Sequence, residues 1–460
     1  MEIVFGVDIP LLLLLLPLAI LLLYWQGMRS YNFWSSRGIP GPKPQPFFGH
    51  EWQVQKKGIQ KCLTEWSKAH GRVYGIYMNL KPMLVTNDLD ILREVMVKDF
   101  PHFTDRFDRV QGGIFSKTVF FARGHDWKRI RNIISPTFTS GKLRLMESYI
   151  NSCSEVFSKN IQEIARHGGK IIVKEYCGAF TMDVITGTVF GIVVNSQKDF
   201  QNEFVTNAKL LLQHGGAPRS FFRQLLTLTP FLNRLNQYLQ NPFVKKEDPH
   251  GFLYKAIRRI VADRKEETVP RKKTDFVQLL INAETSEDFV GAVSENAKRL
   301  TPDEIVAQMV IFFIAGYETT ATTLHFMIYN LAMYPDIQQK IVDEIQQQIG
   351  DEVPTNDNVS KLKYMEQTIK ETLRLFPPVP AINRVASETV TIKGVTIPKG
   401  VGVLIPIYDV MRDPEYFPDP EVFRPERFSE EAKDEMNPAL SWHSASDPAC
   451  ASASVWLCWK

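Results

Sequence analysis

Thr301-Pro302-Asp303-Glu304-Ile305-Val306-Ala307-Gln308-Met309-Val310-Ile311-Phe312-Phe313-Ile314-Ala315-Gly316-Tyr317-Glu318-Thr319-Thr320 is the stretch on which the reading of this chain turns. It opens as a helix. Thr301 and Glu304 have the spacing of a capping box, with proline at the first helical position. Apolar residues continue through Ile305, Met309, Phe312, Phe313 and Ile314 to Leu324, Phe326, Met327 and Leu331, and Pro335 ends the run. The span is roughly 30 residues, against about three turns for an average helix. Apolar side chains all round predict burial through the middle of the molecule. At its centre, Ala315-Gly316-Tyr317-Glu318-Thr319-Thr320 breaks the pattern. A mid-helix glycine costs about 1 kcal/mol against alanine. A carboxylate in apolar surroundings is costly unless partnered or functional. Small residues at 315 and 316 let a flat ligand lie against the backbone. Thr319 can bond back to a carbonyl and open the helix locally. Taken alone, the stretch reads equally well as a glycine kink with a polar stripe.

Working outward, a second helix is expected from Asp336 to about Gln348, stopped at Gly350. A third runs from about Leu362 to Phe376, stopped by Pro377-Pro378. The third carries Glu371 and Arg374 at i, i+3, a weak pattern by itself. Downstream, Phe423-Arg424-Pro425-Glu426-Arg427-Phe428 offers Arg427 to close a network with that pair, and such networks need every partner present. Upstream, Trp127-Lys128-Arg129-Ile130-Arg131 puts Trp127 and Arg131 on one helix face. An aromatic beside a guanidinium suits an anionic planar ligand, and it also suits an ordinary amphipathic helix. Strand-like residues lie at Val73 to Val85, and Thr389–Ile392 and Val395–Ile397 flank a Lys393-Gly394 hairpin signal. Lys255 to Lys273 is charged and reads as a solvated helix and loop. The fold class is mainly α with small β-sheets.

The chain has 460 residues, enough for two or three domains, but no linker divides it after the N-terminal region. Basic and acidic residues number 54 and 51, a balance that argues against a nucleic-acid partner. Cys62, Cys153, Cys177, Cys450 and Cys458 are scattered and show no zinc-site spacing, so reduced thiols on a cytosolic face are expected. Ile9 to Trp25 is an apolar run with Arg29 following it. Spanning a bilayer takes roughly 20 residues, and basic residues on the C-terminal side place the body in the cytosol. The other reading is a cleaved signal peptide, against which no small-residue cleavage site follows Tyr24-Trp25-Gln26. Alternating prolines from Pro40 to Pro46 then predict a stiff, extended connector. The expected divisions are an anchor at 1–27, a Pro-rich linker at 28–46, a catalytic domain at 47–438 and a different tail at 439–460.

In this order and spacing, these segments resemble the cytochrome P-450 family over about residues 30 to 438. Ser135-Pro136-Thr137-Phe138-Thr139-Ser140-Gly141-Lys142-Leu143 is most similar to the animal drug-metabolising 3A subfamily and its clan. The resemblance implies heme (iron protoporphyrin IX) as cofactor and oxidation of an apolar small molecule with O2. Electrons would come from NADPH through NADPH–cytochrome P-450 reductase, with cytochrome b5 as a second donor. The body would lie on the cytosolic side of the endoplasmic reticulum membrane, in contact with membrane lipid. It implies that Thr319 with Glu318 relays protons, and that Ala315 and Gly316 lie against the cofactor. Arg106, Trp127, Arg131 and Arg384 would hold heme propionates, and Glu371, Arg374 and Arg427 would lock the core beneath. Phe103, Phe107, Phe115, Phe120, Phe121, Phe312 and Phe313 become candidates for an apolar substrate pocket, with plain core packing as the other reading for each.

One departure is decisive. The family signature Phe-x-x-Gly-x-Arg-x-Cys-x-Gly, whose thiolate is the axial iron ligand, belongs just after Asn437-Pro438. The chain reads Ala439-Leu440-Ser441-Trp442-His443-Ser444-Ala445-Ser446-Asp447-Pro448-Ala449-Cys450 there. Cys450 is near the right distance but lacks the glycines and the arginine, so no metal ligand is assigned. Synonymous codons exist for His443 onward that, read two nucleotides later, spell Phe-Gly-Ile-Gly-Pro-Arg-Met-Cys-Ile-Gly-Ile. A frameshifted tail is therefore expected, with the heme loop, the helix after it and the final sheet missing. Three functions stand open: a monooxygenase, a heme-thiolate isomerase, which the hydroxyls of Thr319 and Thr320 disfavour, and an inactive apoprotein or apolar-ligand binder.

Overall fold

Aromatic and β-branched residues at Val73 to Thr86 pair as expected. The computed structural model describes residues 3–4, 7–8, 25, 28–29, 31–46, 48–106, 114–138, 141, 144, 146–216, 249–266, 276–282 and 299–433. The apolar run of the anchor, Phe107, and the tail with Cys450 lie outside these residues. Ile3–Val4 pairs antiparallel with Val7–Asp8.

One compact unit holds the described residues up to Leu92 together with Ala381–Asp409. Helices α1 (Glu51–Lys57) and α2 (Ile59–His70) precede strands β1 (Val73–Met78) and β2 (Lys81–Thr86). Later come β3 (Ile382–Val385), β4 (Val390–Ile392), β5 (Val395–Ile397) and β6 (Gly402–Ile405). The main sheet has the order β1-β2-β6-β3. The central strand β6 is parallel to β2 and antiparallel to β3, and all four of its residues are buried, which is why it reads as an unbroken apolar run. The β4–β5 hairpin turns on Lys393 (φ 50°) and Gly394 (φ 78°), the two left-handed positions of a tight hairpin.

The proline-rich stretch corrects an expectation. It is tied to the folded body at Pro40, Pro42 and Gln45 and does not stand off as a free connector. Gly75 N–H donates to the Pro40 carbonyl (2.8 Å), Trp34 Nε1 to Ile76 O (3.1 Å), and Tyr77 Oη to Tyr31 O (2.6 Å). A Cβ at residue 75 would sit 2.2 Å from the Trp34 ring, so only glycine lets the indole lie on the strand. Prolines keep these residues extended, which presents their carbonyls to a strand as well as it would hold a spacer.

His50 is the buried pin of this docking. Its Nδ1 accepts from Tyr77 N–H (2.9 Å), and its Nε2 lies 3.1 Å from Pro42 O, which fixes the neutral tautomer with the proton on Nε2. Burial lowers its pKa below 6.5. A second proton would set two donors, Nδ1–H and Tyr77 N–H, against each other, a clash that Tyr77 O at 3.2 Å from Nδ1 only partly offsets. Because the folded state disfavours the charged form, the stabilisation is complete above the unfolded pKa and falls as pH drops through it. Trp34 fluorescence is expected to change as the stretch loosens between about pH 7 and about pH 5, and His50→Gln should abolish that titration. A titration unchanged in the variant would reject the assignment.

The second unit comprises the described residues of Arg93–Gly215, Asp248–Pro380 and Val410–Lys460. Its helices are α3 (Gly124–Ile134), α4 (Glu147–Arg166), α5 (Val173–Ile185), α6 (Glu203–Gly216), α7 (Pro249–Glu266), α8 (Pro302–Met333), α9 (Pro335–Gln348) and α10 (Lys363–Leu375). The capping box of α8 is complete: Thr301 Oγ1 accepts from Glu304 N (3.2 Å), and Glu304 Oε2 accepts from Thr301 N (2.8 Å). This helix is long and apolar enough to cross a membrane, yet it is mostly buried as a core element. It packs in a cluster with Trp127, Ile130, Phe190, Leu253 and Phe276. Fully burying a large apolar side chain contributes about 1.5–3 kcal/mol. Against α5 the approach is close: Thr181 Oγ1 donates to Tyr317 O (3.1 Å), and a Cβ at Gly178 would lie 3.3 Å from Tyr317 Oη.

Helix α7 corrects the solvated reading of 255–266. Leu253, Ile257 and Val261 form a buried stripe, and buried Arg264 donates to Phe190 O (3.3 Å). One apolar residue per turn is enough to seat a helix whose other faces are charged. Residues 267–273 lie outside the described residues. At the start of α10, the Glu344 carboxylate from α9 accepts from Tyr364 N (2.7 Å) and Met365 N (2.9 Å), satisfying donors a helix cannot satisfy itself.

Candidate functional site

Glu371 and Arg374 share a face of α10 because residues three apart on a helix are neighbours. Both are fully buried. Arg374 Nε donates to Glu371 Oε2 (2.7 Å) and Nη2 to Oε1 (2.9 Å), the bidentate fork that a carboxylate accepts best. The remaining valences are filled by the chain returning after β6. Arg374 Nη1 donates to Met411 O (2.8 Å), and Arg424 N–H donates to Glu371 Oε1 (2.9 Å). Arg427 Nε lies 3.5 Å from Glu371 Oε1, and its Nη2 donates to Asp419 O (2.7 Å). Burial lowers the Arg427 pKa, with Glu371 opposing that shift. The three residues grouped by their sequence positions are thus brought together, and backbone groups complete their network.

At the centre of α8, Thr319 Oγ1 donates back to Ala315 O (2.5 Å), and Thr323 Oγ1 donates to Thr319 O (2.8 Å). The helix stays continuous. Gly316 is buried there. Glu318 is not the carboxylate in apolar surroundings that the sequence suggested. It is about one-third exposed and lies 3.3 Å from Lys174 Nζ of α5. Successive helical residues point about 100° apart, so the structure does not bring this carboxylate to the Thr319 hydroxyl.

Arg106 is buried with its guanidinium 4.3 Å above the Phe120 ring. Trp127 is buried and edge-on to Phe100 at 6.0 Å, and Arg131 is half-buried one turn on. Arg384 sits in the other unit, fully buried on β3. Sequence reasoning passed over Arg129. It is buried, forks onto both oxygens of Glu304, and donates to Arg299 O (2.8 Å). Burial opposes its charge, but the Glu304 hydrogen bonds outweigh that and hold its pKa above the ordinary value. Three cations in five residues look alike in sequence, and only the carboxylate opposite selects the one that is buried.

The phenylalanines divide. Phe312 and Phe313, pocket candidates with core packing as the other reading, are packed ring against ring in the core, Phe312 with Phe276 (4.9 Å) and Phe313 with Phe190 (5.8 Å). Phe103 is fully buried, Phe120 is exposed, and Phe115 and Phe121 are half-buried.

Within the second unit, buried Arg106, the Trp127 indole and the bare backbone at Gly316 are groups of the kind that suit an anionic planar cofactor. The three thiols among the described residues lie where burial favours the neutral form. Cys62, Cys153 and Cys177 are all buried, and burial pushes Cys153 to about 11 and Cys177 to about 12. A ligating cysteine must be a thiolate. Among the described residues, no group of three His, Cys, Asp or Glu side chains could hold a metal ion.

A buried long helix bearing Gly316 and Thr319, beside a helix locked through Glu371 and Arg374, defines the class of mainly helical heme monooxygenase folds. The chain belongs to the cytochrome P-450 family, whose model matches residues 39–443. It is 39% identical over 437 residues to cytochrome P-450 3A7 of Homo sapiens, covering 95% of this chain and 85% of that protein. It is 38% identical over 445 residues to cytochrome P-450 3A6 of Oryctolagus cuniculus, covering 96% and 86%. Cytochrome P-450 3A9 of Rattus norvegicus is 39% identical over 429 residues, covering 93% and 83%. Heme is the cofactor of this family, and NADPH, through a reductase, supplies its electrons.

Proposed function

We propose that this fold oxidises bulky lipophilic molecules with O2. Its electrons come from NADPH–cytochrome P-450 reductase, assisted by cytochrome b5. It works at the endoplasmic reticulum membrane with its body on the cytosolic side. When bound, heme supplies the oxygen-activating chemistry. Arg106, Trp127 and Arg131 would hold its propionates, and Gly316 would give it room against α8. The Thr319 hydroxyl, whose proton is directed at Ala315 O, is the group able to hold and pass a proton. Phe115 and Phe121 line the apolar site.

The chain with its present tail is, in this reading, an apoprotein able at most to bind apolar ligands. One observation carries this. The family match stops at His443, the residue from which the shifted frame spells the cysteine signature, and burial favours the neutral form of the described thiols. Expressed as written with added heme precursor, the protein is expected to show no thiolate-type Soret band in its reduced carbon-monoxide spectrum. The chain with the frame restored should show it fully. A thiolate band from the unaltered chain that vanished in Cys450→Ala would overturn the reading.

A further inference from the structure

Gln308 lies on the second turn of α8, fully buried, with both ends of its amide engaged. Its Oε1 accepts from Val119 N–H (2.7 Å). Its Nε2 donates to Lys117 O (2.8 Å) and to Glu304 O (3.0 Å). One side chain thus grips the segment Ile114–Ala122 by two backbone groups and ties it to the helix that bears Thr319. The segment also has internal bonds of its own, and Val119 and Ala122 join the core cluster around α8. Thr118 Oγ1 donates to Phe115 O (2.8 Å), and Ala122 N–H donates to Thr118 O (2.8 Å). An exposed ion pair also joins it to α8, Lys117 Nζ to Asp303 (2.6 Å), and exposed pairs contribute little, while the apolar contacts of Val119 and Ala122 hold it there without fixing its register. A buried amide whose donor and acceptor are both satisfied by backbone is specific in a way that apolar packing is not, because a shift of register leaves its groups unpaired.

We propose that Gln308 is a specificity-determining positioning residue. It latches the Ile114–Ala122 segment against α8 and so sets the position of Phe115 and Phe121 as a wall of the apolar ligand site. The proposal rests on the reading that these rings line that site. Its action is through the segment's backbone, not through contact with the ligand.

The test uses the full chain, amide hydrogen exchange, and the neutral probe N-phenyl-1-naphthylamine. Gln308→Met keeps length and removes all three bonds. It is expected to speed exchange at Val119 at least tenfold while leaving the amides of α10 unchanged, and to weaken probe binding severalfold. Gln308→Glu keeps the acceptor for Val119 N–H and loses the donor, so Val119 should stay protected, which also guards against a variant that loosens the whole fold. Unchanged exchange at Val119 in Gln308→Met overturns the latch. Faster exchange with unchanged probe affinity overturns its role in specificity. If Phe115→Ala and Phe121→Ala also leave probe affinity unchanged, the failure belongs to the assignment of the site.

Discussion

Glu371→Ala is expected to destabilise the second unit by about 3–5 kcal/mol, because it strands Arg374 as a buried, uncompensated charge. The two groups are 0% and 1% exposed, so water cannot replace the lost partner. The loss spreads further, since Arg424 N–H donates to the missing carboxylate and Arg427 Nε lies 3.5 Å from it. A comparison within the same region sets the scale. Lys340 and Glu426 form a pair of similar length, 2.8 Å, but both are roughly half exposed, and Lys340→Ala should change stability by no more than about 1 kcal/mol. Urea unfolding followed by circular dichroism reads both. A loss in Glu371→Ala no greater than in Lys340→Ala would show that the buried network contributes nothing specific.

Arg129→Ala is the second large effect, at about 3 kcal/mol. Glu304 serves two masters: one oxygen accepts from Thr301 N to cap α8, and both accept from Arg129. Without the guanidinium, the carboxylate is buried with only the cap to hold it. The start of α8 and the face of α3 that carries Trp127 should loosen together. Arg129→Lys should recover only part of the loss, because an ammonium cannot fork across two oxygens and also reach Arg299 O. Thermal unfolding and the near-ultraviolet signal of Trp127 report the two consequences. An Arg129→Ala protein within about 0.5 kcal/mol of the parent would refute the account.

The parts of this fold that were legible in sequence are those written in local chemistry. The capping box at Thr301, the proline boundary after α8, the Lys393-Gly394 turn and the i, i+3 spacing of Glu371 and Arg374 each depend on residues within a turn of one another. What was hidden depends on partners far along the chain. Arg129 is chosen over its two cationic neighbours by a carboxylate 175 residues away. Glu318 faces Lys174, and the Pro40 and Pro42 carbonyls are tied down by Gly75 N–H and by His50. The charged appearance of α7 concealed a stripe of three apolar residues. Of the site, the polar lock could be read from spacing, whereas the phenylalanines could not be sorted into core and surface without their neighbours.

The parallel pairing of β2 with β6 has a consequence for biosynthesis. Leu84 bonds across to Val403, so the inner edge of β2 has no partner until the ribosome has added more than three hundred further residues. At about 5–20 residues per second that interval is on the order of tens of seconds. Throughout it, the β1–β2 hairpin presents an unpaired ladder of buried-type residues, Met83 to Val85, of the kind that templates association between chains. The nascent protein therefore depends on something to shield that edge, and pausing between the codons for β2 and β6 lengthens its exposure in direct proportion.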